Sequence, residues 1–347
     1  MRSKRCRVRW YVQWVAEGPP RVPSGVLQPV VRRRRSPRRW RSLAVTAAAA
    51  VAAAAGVIVY VRHATSSPTA VASPPRITHH HVAKPAPVRS APPRLLAAGP
   101  LRRHAFRPPI TARAAVVVDR RTGRVLWALH PHRRLPIAST TKIMTAVLAL
   151  ERLRAGAIVR VNPAVTRVPL VKEGLRPRER VRAWKLLDGL LMYSGNDDAL
   201  ALAIATAGTR RAFIERMNDE AHALGLRDTH FASPSGVIDR ANYSSAWDLA
   251  ALARYALRNP RFRHIVRRRI ARVPWSAPTY EKVYLNKNAL LGTYRGADGV
   301  KTGWTTLAGH CLVASATRGR RSAIVVLLHD GNVYADARRL LDFGLSE

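Results

Sequence analysis

The chain has 347 residues, 47% of them hydrophobic, and a formal charge of +40. That apolar content supports a real core and excludes a wholly disordered protein, while two cysteines, Cys6 and Cys311, exclude a disulfide-built scaffold. The charge does not specify nucleic acid: residues 1–112 hold 21 Lys or Arg against Glu17 alone, so half the excess sits on a third of the chain, and arginine supplies 52 of the 60 basic residues, as a biased genome would.

The N-terminal third reads as three segments. Residues 1–42 form a basic lead, with Arg32 to Arg35, Arg38, Arg39 and Arg41 at its end. Leu43 to Val61 is a run of 19 residues without a charge, just long enough to cross the hydrocarbon layer as a helix and closed by Arg62. The positive charge before it places the lead in the cytoplasm and everything after it outside. A single-pass anchor at the cell membrane is the expectation, and a signal peptide cut near Ala70-Val71-Ala72, releasing a secreted protein, is the alternative. Residues 62–112 are rich in Pro, Ala, Ser and Arg and read as an extended tether. His79-His80-His81 within it has no acidic or Cys partner, so no metal site is expected.

The folded domain is expected over 113–347. Ala-Val-Val-Val-Asp from Ala115 reads as a strand, Arg121-Thr122-Gly123 as its turn, and Val125 to Leu129 as the returning strand. Ile143 to Leu150 is apolar on every face and predicts a central buried helix beginning near Ser139. Trp184 to Met192 predicts a second helix, broken at Ser194-Gly195-Asn196. Asp197 and Asp198 then favour the first turn of a third, running to about Ala207. Phe213 to Leu224 is amphipathic and stops at Gly225. Strands return at Gly299 to Trp304, His310 to Thr317 and Ala323 to Leu328, with a basic turn at Arg318-Gly319-Arg320 and a closing helix from Val333 to Phe343. Strands at both ends and helices between them predict an α/β (α+β) fold: one antiparallel sheet assembled from both ends of the domain, packed on a helical subdomain. Cys311 lies in an apolar run and reads as a small core residue.

Three strings carry the chemistry: Ser139-Thr140-Thr141-Lys142, Ser194-Gly195-Asn196 and Lys301-Thr302-Gly303. The spacing of three puts Ser139 and Lys142 on one helix face, where a lysine amine can take the serine proton. Only a neutral amine can do so, which requires burial or a second cation, and Lys301 is the expected one. The Ser139 N–H, at a helix start, is an oxyanion donor. A Ser194 hydroxyl can relay a proton and the Asn196 amide can hold a substrate backbone. Lys301 and Thr302, on an edge strand, can meet a carboxylate, and Gly303 leaves room for a peptide to add to that edge. Read without chemistry, the strings are an N-cap beside an exposed lysine, a helix cap and a basic edge strand.

The order S-x-x-K, S-x-N, K-T-G is the known signature of penicillin-binding proteins and their β-lactamase relatives. The stretches Ala138 to Ala146, Leu191 to Asp198, Leu224 to Phe231, Asp248 to Ala253 and Asp298 to Trp304 extend the likeness, so that the region from about Ala114 to Leu345 resembles the D-alanyl-D-alanine carboxypeptidases of low molecular mass. The resemblance implies the penicillin-binding-protein-like transpeptidase fold and an acyl-enzyme on Ser139, with Lys142 as base and Ser194 as proton shuttle. It also implies that Asn196 and Lys301 orient the substrate, that Thr302 contacts its carboxylate, and that the N–H groups of Ser139 and Trp304 form the oxyanion hole. Peptidoglycan stem peptides would be substrates, β-lactams covalent inhibitors, and no cofactor would be needed. Members of this family often carry a β-rich domain and a C-terminal anchor; here the anchor is expected at the N-terminus. Ser233-Pro234-Ser235-Gly236 departs from the family's Asn-x-x-Gly.

Rival readings are a D,D-endopeptidase acting on cross-links, a class A-like β-lactamase and a non-catalytic wall-binding protein. The β-lactamase lacks its Glu-x-x-Leu-Asn string: Glu281 before Leu285-Asn286 is wrongly spaced. A nucleic-acid partner would rest on charge alone, and the extracytoplasmic topology argues against it. Oligomeric state is not legible.

Overall fold

The computed structural model describes residues 95–96, 106–154, 156–237 and 241–347. The basic lead, the Leu43 to Val61 run, Cys6 and the His79 to His81 tract lie outside them. Among the described residues no helix is long and apolar enough to cross a membrane, and no group of three or more His, Cys, Asp or Glu side chains is placed to hold a metal ion.

The domain opens with the expected hairpin, β1 (Ala114–Asp119) and β2 (Val125–Leu129), whose turn is held by Asp119 accepting from the Arg121 and Thr122 N–H groups. After β3 (Leu135–Pro136) comes a single 3-10 turn, Ala138–Thr141, which runs into α1 (Lys142–Arg152). The helical part then contains β4 (Ile158–Arg160), β5 (Arg180–Arg182), α2 (Ala183–Asp188), α3 (Asn196–Ala207), α4 (Arg210–Ala223), β6 (Tyr243–Ser244), α5 (Ala246–Ala256) and α6 (Pro260–Val266). Side chains of Thr209 and Ser245 accept the Ala212 and Asp248 N–H groups and so start α4 and α5. A two-stranded ribbon, β7 (Ile270–Pro274) and β8 (Glu281–Leu285), leads to β9 (Ala297–Thr305), β10 (Gly309–Arg318), β11 (Arg321–Asp330) and the closing helix α7 (Val333–Ser346). The ribbon is absent from the sequence reading.

The five-stranded sheet has the order β2-β1-β11-β10-β9, antiparallel throughout, and so is assembled from both ends of the domain as expected. Strands β1, β10 and β11 are buried at most positions because both faces of the sheet are covered. Val117, Leu312, Val325 and Leu327 pack with Leu340 and Leu341 of α7, while Val116, Val313, Ile324 and Val326 join the core formed with α1 and α5. Helix α1 is buried on almost its whole circumference between α3, α4, α5 and α6. Strand β9 is the edge of the sheet, and its free side faces the N-terminal turn of α1.

Residues 106–112, the end of the stretch read as tether, lie against this domain. Phe106 stacks on Phe343 at 4.2 Å, and the Thr111 N–H donates to Asp336.

Candidate active site

The turn before α1 is shaped by local strain and a close neighbour. Ala138 has φ of 46°, a left-handed conformation that costs an alanine of order 1 kcal/mol or more. On the β9 side, a Cβ added to Gly303 would stand 2.9 Å from the Ile137 carbonyl and 3.1 Å from the Ser139 nitrogen. Glycine therefore lets the edge strand lie directly against the Ser139 backbone. Ser139 itself is half-buried.

Lys142, one turn on, is fully buried, and its Nζ has three oxygens around it: Ser139 Oγ at 2.8 Å, Asn196 Oδ1 at 2.8 Å and the Ser235 carbonyl at 3.2 Å. A neutral amine matches this set. Its two N–H bonds donate to Asn196 Oδ1 and the Ser235 carbonyl, leaving the lone pair to accept the Ser139 hydroxyl proton. Burial, and then the charge of Lys287, lower Lys142 to about 7, against the opposing pull of Asp198 and Asp197. From an ordinary value of 10.5 this is a bias of roughly 5 kcal/mol toward the neutral form, so desolvation outweighs two nearby carboxyl groups.

Lys301 is also buried and donates to the Thr302 carbonyl at 2.9 Å. Burial, Lys142 and Lys287 hold it well below the usual lysine range. Lys301 is the expected cation, and it and Lys142 repel each other; Lys287, which precedes Asn288, is a further positive charge that acts on both. Lys287 is exposed as a residue, yet its ammonium lies 5.0 Å from the centre of the Tyr193 ring, and reduced solvation lowers it to about 8. Sequence reading missed it because the ribbon that delivers it went unrecognised; the Asn286-Lys287-Asn288 string is its only local signal.

The second string occupies the break between α2 and α3. Gly189–Tyr193 forms a π turn, and Ser194 closes it in the left-handed region at φ of 73°. Asn196 does not cap the helix. Its Oδ1 accepts from Lys142 and its Nδ2 donates to the Pro169 carbonyl at 3.0 Å, spanning the helix and the preceding loop. Ser194 Oγ is buried without a hydrogen-bond partner, a hydroxyl left free beside the cleft. The Ser233 to Gly236 loop closes the other side: Ser235 supplies the carbonyl to Lys142, and Thr145 Oγ1 donates to the Pro234 carbonyl at 2.6 Å. Thr302 is half-buried, Gly303 buried, and Trp304 is 60% exposed at the rim. Thus Ser139, Lys142 and Asn196 are joined directly, Lys301 and Gly303 lie beside them, and the Trp304 side chain points out of the cluster. Cys311 is buried, with its thiol pushed up to about 12 by burial, and takes no part.

Residues 102–332 match the family described as D-alanyl-D-alanine carboxypeptidase. The chain is 34% identical over 246 residues to D-alanyl-D-alanine carboxypeptidase DacF of Bacillus subtilis, covering 68% of this chain and 62% of that protein. It is 34% identical over 263 residues to the D-alanyl-D-alanine carboxypeptidase of Streptomyces sp. strain K15, covering 69% and 89%. Among solved structures, the D-alanyl-D-alanine carboxypeptidase of Mycobacterium tuberculosis superposes with a TM-score of 0.66 at 32% identity, over 70% of this chain and 95% of that one.

Proposed function

Since the chain belongs to the D-alanyl-D-alanine carboxypeptidase family of serine peptidases and has the penicillin-binding fold, we propose that it removes the terminal D-alanine from peptidoglycan stem peptides through an acyl-enzyme on Ser139. One observation carries this reading: the Ser139 hydroxyl lies 2.8 Å from a buried lysine amine lowered to about 7. Lys142 accepts the Ser139 proton as Oγ bonds to the penultimate carbonyl carbon. The oxyanion forms against the backbone N–H groups of Ser139 and Trp304. As the C–N bond breaks, the proton passes from Lys142 through the Ser194 hydroxyl to the departing D-alanine amine. Water, deprotonated by the now neutral Lys142, then attacks the acyl carbon, and as the ester C–O bond breaks the proton returns from Lys142 to Ser139 Oγ. Asn196 holds the Lys142 amine and the substrate backbone, while Lys301, Thr302 and Gly303 receive the peptide along the open edge of β9. A β-lactam would follow the same first step and acylate Ser139. The catalytic domain would act outside the membrane, tethered by the Leu43 to Val61 segment.

The test is incubation with a stem pentapeptide and, separately, with penicillin. Free D-alanine and an added penicilloyl mass on Ser139 are expected, both abolished in Ser139→Ala. Absence of both from the wild-type protein overturns the assignment.

A further inference from the structure

The catalytic turn rests on a buried carboxyl group that the mechanism above does not use. Asp198, the third residue of α3, is fully buried, and neither of its carboxyl oxygens receives an N–H or hydroxyl donor. Glu173 faces it, equally buried. Glu173 Oε1 takes the Lys282 ammonium at 3.1 Å and the Tyr284 hydroxyl, while Oε2 is without a donor. The donorless oxygens converge, because a Cβ placed on Gly189 would strike both Asp198 Oδ2 and Glu173 Oε2. A Cβ on Gly195 would strike Asp198 Oδ2 as well, so this carboxyl lies directly against the middle residue of Ser194-Gly195-Asn196.

Two ionised carboxylates do not face each other in a dry interior; one proton between them converts repulsion into a strong O–H···O bond. Lys282 and Tyr284 both act on Glu173, which puts the charge there and the proton on Asp198. We propose that Asp198, carrying this proton and donating it to Glu173, is a positioning residue that forms the floor of the Ser194-Gly195-Asn196 turn and so aims Ser194 and Asn196 at Lys142. The left-handed Ser194 gives the turn a conformation that needs such backing.

The surrounding charges agree. Asp197, adjacent on α3, spends its oxygens on the N–H groups of Glu173, Gly174 and Leu175 and on the backbone N–H of Asp198, none of them on the Asp198 carboxyl. Burial, then Glu173 and Asp197, raise Asp198 well above the ordinary carboxyl value against the pull of Lys282, and burial raises Glu173 too. Lys142 from α1 and Tyr193 from the π turn complete the titratable groups around the pair. A neutral Asp198 also spares Lys142 a negative charge that would favour its protonated form.

The test compares full-length wild type, Asp198→Asn and Asp198→Ala by rate of Ser139 acylation with a fluorescent penicillin and by melting temperature against pH. Asparagine keeps a donor toward Glu173. Asp198→Asn is therefore expected within about threefold of wild type and Asp198→Ala at least about tenfold slower. Wild type retains a proton in the folded state that the unfolded chain releases, so its stability falls as pH rises above the unfolded carboxyl value. The melting-temperature difference, Asp198→Asn minus wild type, should become steadily more positive from about pH 5 to about pH 9. Acylation of Asp198→Asn as slow as that of Asp198→Ala, or a difference that stays flat with pH, overturns the proposal. Its kinetic arm rests on the acyl-enzyme reading. Failure of wild type to acylate would count against that reading, and the melting arm would still decide the fate of the carboxyl pair.

Discussion

Around Ser139 three lysines divide their roles by depth. Lys142 and Lys301 are buried and pushed toward neutrality, while Lys287 is exposed and acts on both as a positive charge. Lys142 works as a base only when neutral, so acylation of Ser139 should rise with pH through about 7. Removing the Lys287 charge raises Lys142, so Lys287→Ala should move this acidic limb to higher pH and slow acylation most below neutrality, whereas Lys287→Arg leaves the limb in place. Stopped-flow acylation by a chromogenic β-lactam across pH measures it; an unshifted limb in Lys287→Ala would show that Lys287 has no hold on the base. Residue types and the S-x-x-K spacing were enough to single out Ser139 and Lys142. The contribution of Lys287 was not legible, because it belongs to none of the three strings and meets Lys142 only in the folded chain, from 145 positions away.

At the scale of elements, catalysis depends on a strand touching a turn. Gly303 brings β9 within van der Waals distance of the Ile137 carbonyl and the Ser139 nitrogen. Gly303→Ala should push the edge strand off the turn, slowing acylation at least about tenfold, equivalent to about 1.4 kcal/mol of transition-state alignment, with a far smaller change in unfolding midpoint. Penicillin acylation kinetics beside urea unfolding separate the two; equal losses in both would point to general destabilisation. The elements that position these residues were legible where periodicity is strong. The all-apolar run of α1 and the doubly covered strands β10 and β11 read directly from sequence. The ribbon β7–β8 did not, since Ile270–Pro274 and Glu281–Leu285 are short, carry Arg, Lys and Glu, and expose Ile270 and Leu285. Asn196 reads as a helix cap by local rules, and only its position opposite α1 turns its side chain to Lys142 instead.

For the whole molecule, charge and hydropathy distribution set an expectation about place. The Leu43 to Val61 run behind a basic lead should hold the protein in the membrane with residues after Arg62 outside. Deletion of residues 43–61 should move penicillin-labelled protein from the membrane to the soluble fraction, while a full-length protein found only in soluble or secreted fractions would reject the anchor in favour of cleavage.

By itself the sequence determined the kind of fold and the order of its long elements, and it singled out Ser139 and Lys142, because period, burial pattern and motif chemistry are local properties of the chain. Tertiary structure alone decided which groups make that base neutral, which carbonyl and amide hold it, and which buried carboxyl pair lies beneath the second string. These depend on desolvation and on electrostatic contacts between Glu173, Asp198, Lys282 and Lys287, residues brought together only when distant segments pack.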